Sequence, residues 1–171
     1  MRLHLIFLFI FLIPGLVCSS ALEISTGGVL ISSVYFSSGQ TIDFKYSHSL
    51  NLLGFQPLAK FSFIQAQGSQ RPDLQLHSYQ FYTGLKRNLF NPTPRSEIVF
   101  SLFPGLSHTT VSTETASESS IIPWVGCALG YQFKFFEPVK LVADIAGNYS
   151  LDKSNTLFFG LTLGIELNKG F

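Results

Sequence analysis

The sequence predicts an all-β protein, an eight-stranded antiparallel up-and-down β-barrel that crosses a membrane with its strands. Three observations carry this expectation. Only 12% of the 171 residues are charged while 46% are hydrophobic, against about 25% charged in an ordinary soluble domain. A short apolar stretch near the start is followed by no apolar segment long enough for a membrane helix. Apolar residues instead recur at every second position through most of the chain, the signature of strands with one greasy face.

The composition also excludes classes of function. High hydrophobicity with low charge rules out a disordered chain. A net charge of +1 without a basic block lacks the footprint of a nucleic-acid binder, so no nucleic-acid partner is expected. The length fits one domain.

The first residues read as an address. Arg2 supplies a positive start, Leu5 to Ile13 is an unbroken apolar run, and Pro14-Gly15 breaks it before Cys18, Ser19, Ser20 and Ala21. This is the layout of a cleavable signal peptide over residues 1–21, with the cut after Ser20 or Ala21 and the barrel over residues 22–171. A transmembrane anchor needs about 20 apolar residues, more than Leu3 to Val17 provides. Leu16-Val17-Cys18 is similar to a lipobox, but Val17 stands where Gly or Ala is usual, so lipidation of Cys18 ranks behind cleavage. With Cys18 removed, Cys127 remains alone and no disulfide framework forms.

The strands follow in order. Glu23 to Ser33 is the first, of unassigned register. Gln40 to His48 alternates Ile42, Phe44 and Tyr46; Leu58 to Gln67 alternates Phe61 and Phe63; Leu74 to Arg87 alternates Tyr79, Phe81 and Leu85. Ser96 to Leu106 alternates Ile98, Phe100 and Leu102. Pro123 to Phe133 sets Val125, Cys127, Leu129 and Tyr131 against Trp124, Gly126 and Ala128, leaving Trp124 either interfacial or luminal. Val139 to Ser150 sets Leu141, Ala143 and Ile145 against Lys140, Asp144 and Asn148. The clearest strand is Thr156 to Phe171, with Leu157, Phe159, Leu161, Leu163, Ile165 and Leu167 on one face and Phe158, Gly160, Thr162, Gly164 and Glu166 on the other. A helix over that stretch would scatter the apolar groups around its whole circumference.

Turns with proline are expected at Asn51 to Pro57, Asn88 to Pro94 and Glu137-Pro138. Polar connectors are expected at Ser37 to Gly39, Gly68 to Asp73, Ser107 to Ser120 and Asp152 to Asn155. Among these, Ser107 to Ser120 is the segment expected to meet a surface ligand.

The leader, the alternating segments and the terminal GLTLGIELNKGF together resemble the small outer-membrane β-barrels of the OmpA/OmpX-like superfamily. The resemblance implies the outer membrane of a Gram-negative bacterium, lipid around the barrel, and a monomer with loops outside. It also implies that the barrel-assembly machinery reads Leu163, Ile165, Leu167 and Phe171, with Lys169 as the departure. Physics agrees, since a chain without helices crosses a bilayer only as a closed barrel. Eight strands leave an interior that side chains fill, so no wide channel is expected.

Strand parity places Asp43, Lys45, Lys60, Lys140, Asp144 and Glu166 in the lumen. Opposite signs at these positions suit an internal ion-pair plug, with a narrow ion path as the functional alternative. His48-Ser49 with Asn51 resembles in part the His and Ser of outer-membrane lipid A deacylases, but the spacing differs and no acidic partner is placed. His77 and His108 have no ligand-spaced neighbours, so no metal or other cofactor is expected, and Cys127 falls on the lipid-facing parity. The leading expectation is a non-catalytic structural or surface-interaction barrel. A lipid A-modifying enzyme and a soluble lipocalin-like carrier with its apolar faces inward are the alternatives.

Overall fold

A computed structural model describes residues 20–48, 50–152 and 156–168 of the chain. Residues 1–19 with Cys18, on which the expected signal peptide falls, Ser49 and the terminal Lys169 and Phe171 lie outside the described residues. Eight strands form one closed antiparallel barrel, each hydrogen-bonded to its neighbours in sequence and the last to the first. They are β1 (Ser20–Ser32), β2 (Phe36–His48), β3 (Gln56–Gly68), β4 (Gln75–Thr93), β5 (Ser96–Ser112), β6 (Ser117–Phe136), β7 (Val139–Ser150) and β8 (Leu157–Asn168). The up-and-down order puts Ser20 and Asn168 on one rim with the turns after β2, β4 and β6, and the other four connections on the opposite rim.

Alternation sorts the side chains as the pleat requires. Leu22, Ile24, Phe44, Phe61, Phe81, Leu102, Leu129, Ile145 and Leu163 stand on the outer face and are exposed, whereas Glu23, Asp43, Lys60, Tyr82, Phe103, Asp144 and Glu166 are buried in the lumen. The register of β1 is settled by pairing on both sides, Glu23 lying opposite Lys45 of β2 and Glu166 of β8. Val142 and Ala146, which interrupt the polar parity of β7, also turn into the lumen. A soluble carrier would need the opposite sorting, so the lipocalin-like alternative does not describe this barrel.

Three connectors differ from the sequence expectation. Asn88 to Pro94 is not a turn: β4 runs to Thr93, and only Pro94 and Arg95 reverse the chain. The register shifts between Asn88, Phe90 and Thr93 absorb this proline-rich stretch, and Thr93 and Ser96 hydroxyls 2.7 Å apart clasp the hairpin. Ser107 to Ser120 is mostly strand, because Ser and Thr hydroxyls pair across it, as Thr110 does with Ser119 at 2.9 Å, leaving only residues 113–116 as loop. Ser37 to Gly39 belongs to β2, since Phe36 is already buried in the lumen, and the connection is residues 33–35.

Trp124 is luminal and 2% exposed. Its indole lies against Phe158, centroids 4.9 Å apart, and its Nε1–H donates to Ser107 Oγ at 2.6 Å. Its fluorescence in bilayers of brominated-chain lipid is therefore expected to resist quenching. Strong quenching would place the indole on the outer face and contradict this orientation.

Candidate functional site in the barrel lumen

The lumen is divided along its axis. Toward the rim bearing Ser20 and Asn168 it is charged. Toward the other rim it is filled by Val29, Ile31, Phe36, Ile64, Trp124 and Phe158 with serine, threonine and glutamine hydroxyls and amides. Between them Tyr82 and Phe103 meet edge to face at 5.2 Å, with Lys60 Nζ over the Phe103 ring at 5.2 Å.

The charged half forms three linked groups. Lys60 donates to Asp43 at 2.9 Å, both side chains 3% exposed. Lys45 bridges Glu23, at 2.8 Å, and Asp144. Glu166 collects Lys86 at 2.8 Å, Gln132 Nε2 at 3.0 Å and Lys140 at 3.6 Å, while Lys140 also reaches Glu97 at 3.2 Å. The register alone would set like charges side by side, Glu23 beside Glu166 and Lys45 beside Lys60, an arrangement that repels. Interleaving cations and carboxylates from β1, β2, β3, β4, β7 and β8 removes that conflict.

All six charges expected in the lumen from parity are found there and paired. Glu23, Lys86, Glu97 and Gln132 were missed. Parity made two of them legible, since Lys86 sits opposite the face of Tyr79, Phe81 and Leu85, and Glu97 opposite that of Ile98 and Phe100, whereas Glu23 needed the β1 register that pairing with β2 and β8 supplies. Leu163, Ile165 and Leu167 face outward on β8 and are exposed; Phe171 lies outside the described residues. Cys127 is exposed on the outer face.

The remaining candidates do not converge. His48 lies at the rim of the chain ends, where its Nδ1 accepts from the Leu50 amide at 2.9 Å; Ser49 lies outside the described residues. His77 and His108 occupy outward positions, and no cluster of three metal-ligating groups occurs among the described residues. On the opposite rim Arg71 donates to Asp73 at 2.7 Å and holds that carboxyl below the usual carboxylate range. Exposed as it is, such a pair contributes little to stability.

Chemically, the charged half is a plug. The space left among Glu23, Lys45, Lys86, Asp144 and Glu166 amounts to about 20 Å³, room for about one water. Both cations lining it, Lys45 and Lys86, are paired with carboxylates.

Solved structures share this architecture. Neisserial surface protein A superposes with a TM-score of 0.69 at 13% identity, covering 86% of this chain and 96% of that one. Ail, the attachment invasion locus protein of Yersinia pestis, gives 0.60 at 16% identity, covering 88% and 98%. OprG, an outer membrane protein of Pseudomonas aeruginosa, gives 0.61 at 7% identity, covering 90% and 97%. The chain has the fold of the small eight-stranded outer-membrane β-barrels. At these identities the likeness is one of fold, and no protein-family model and no curated protein matches the chain. Within that fold the plugged lumen is what an eight-stranded transmembrane barrel of this diameter favours.

Proposed function

We propose that the chain is an integral, non-catalytic monomer of a bacterial outer membrane, with a structural or surface-interaction role. The observation that carries this reading is the sorting of side chains across a closed sheet. Leucine, isoleucine and phenylalanine line the outer face, and every paired charge in the charged half points inward. Water would not tolerate that exterior, whereas hydrocarbon requires it.

The orientation follows that of bacterial barrels, with the rim of Ser20 and Asn168 periplasmic and the four remaining connections outside. The partners are then outer-membrane lipid, the barrel-assembly machinery that would read the β8 face, and whatever meets the outer rim. That rim is braced: Ser69 donates from its amide at 2.9 Å and its hydroxyl at 3.1 Å to the Tyr35 carbonyl. The bracing leaves Val34 and Tyr35 exposed at a fixed tip. This pair, with the hairpin tip at residues 113–116, replaces the long loop expected from sequence as the surface for a ligand. A lipid A-modifying role has less support, because His48 would lie on the periplasmic rim, away from the outer leaflet.

The test is electrophoresis of the purified outer-membrane fraction with and without boiling. Faster migration of the unheated chain is expected, since a closed barrel resists detergent. A soluble chain without a heat-dependent shift would overturn the reading.

A further inference from the structure

The apolar belt is not of one height around the barrel. On β2 only Ile42, Phe44 and Tyr46 face outward between Gln40 and His48, and on β3 Phe63 is followed toward the loop rim by Gln65. β6 stands four strands away on either path round the ring. There the outward run goes from Phe133 up to Ile121, which is 72% exposed. Leu151 and Leu157, both exposed, carry the high apolar edge on to the ends of β7 and β8.

The register gives the difference in height. Followed partner to partner, the row that leaves β6 at Lys134 passes Lys45 on β2 and returns to β6 at Trp124, ten residues nearer the loop rim. Ile42 and Ile121 each stand three residues rimward of this row, on strands half a turn apart, so Ile121 is higher by half the climb, five residues. At about 3.4 Å per residue and a strand tilt of about 45°, that is about 12 Å. Gln40, one outward step above Ile42, then lies about 7 Å below Ile121. No flat interface puts that amide in water and that isoleucine in hydrocarbon. Tilting the β6 side downward would level this edge, but it would push Phe135 and Phe136, exposed at the far rim of β6, out of the bilayer.

Resting on the outer-membrane reading, we propose that the barrel thins the outer leaflet beside β2 and β3, drawing it down to the level of Gln40 and Gln65. A bilayer meets a short apolar face by thinning against it. The two amides then reach water, while Ile121, Leu151 and Leu157 stay in hydrocarbon on the opposite flank. The β2–β3 flank thus takes lipid whose acyl chains are short or splayed, and the β6 flank takes extended chains.

The test uses the full mature chain with Cys127→Ser, inserted in phosphatidylcholine vesicles and carrying one nitroxide at a time on Ile42→Cys, Ile121→Cys, Tyr46→Cys or Tyr131→Cys. Collision rates with oxygen and with a nickel chelate read the depth of each label. The labels on Ile42→Cys and Ile121→Cys are expected at equal depth below the outer interface, although about 12 Å apart along the barrel. Those on Tyr46→Cys and Tyr131→Cys, level to within about 3 Å on an upright barrel, should also read alike. Adding Gln40→Leu with Gln65→Leu should deepen the Ile42→Cys label by about 5 Å, one further outward step. Heat-dependent mobility confirms that each variant closes.

An Ile42→Cys label about 12 Å deeper than the Ile121→Cys label means a flat leaflet and overturns the proposal. Equal depth for that pair with unequal depth for Tyr46→Cys and Tyr131→Cys means a tilted barrel and overturns it as well. So does an Ile42→Cys label that stays where it is when both glutamines become leucine. A closed chain whose four labels all meet water overturns the membrane reading itself, and this proposal with it.

Discussion

Glu166→Ala is expected to destabilise the folded barrel by about 3–5 kcal/mol, the cost of removing one member of a buried ion pair. Glu166 is 2% exposed and serves Lys86, Lys140 and Gln132 together. Lys140 retains Glu97, but Lys86 has no other ion pair among the described residues, so its ammonium would stay buried and uncompensated. Glu166→Gln keeps the shape and some hydrogen bonding while losing the charge, and should fall between alanine and wild type. Pairing Glu166→Leu with Lys86→Met removes both charges from that contact and should recover most of the loss, because an apolar replacement avoids desolvation altogether. Reversible urea unfolding in lipid vesicles measures all of these. An alanine variant as stable as wild type would mean that water reaches this cluster freely and that the plug is not sealed.

Gly27→Ala and Gly28→Ala, adjacent in sequence, should behave oppositely. At Gly27 a β-carbon would run onto the carbonyl oxygen of Leu161 and come within 2.7 Å of Thr162 Cα, backbone atoms of β8 at the seam that closes the barrel. Backbone cannot swing aside as a side chain does, so the strands must part and the closing hydrogen bonds lengthen. The expected loss lies at or above the upper end of the roughly 1–3 kcal/mol typical of overpacking, with most of the heat-shifted band gone. At Gly28 the β-carbon meets open space on the outer face, and alanine stiffens the unfolded chain, so closure should be unchanged. Equal yields of closed barrel from the two variants would refute the close approach of β1 to β8.

The strands most legible in the sequence were those whose two faces differ most. β8 carries six outward apolar residues against Phe158, glycine, threonine and Glu166, and its outer face follows from parity alone. β7 was legible despite Val142 and Ala146, which proved to pack inside. The ends of β4, β5 and β6 were not legible. Pro92 and the Ser/Thr run are turn-forming residues in isolation, but a neighbouring strand supplies the partners that keep them extended, and only Pro94 keeps its turn.

The sequence by itself determined the architecture and, on the strands whose alternation fixes their register, that Asp43, Lys45, Lys60, Lys140, Asp144 and Glu166 enter the lumen. Alternation is a local property, and an apolar exterior without helices leaves only a closed barrel. Only the tertiary structure decided which charge meets which. Lys45 reaches both Glu23 on the adjacent strand and Asp144 on β7, ninety-nine residues away. That pairing, and the division of the lumen into charged and aromatic halves, depends on the stagger between strands. Stagger is set when the whole sheet closes and β1 finds β8, so no segment read alone contains it.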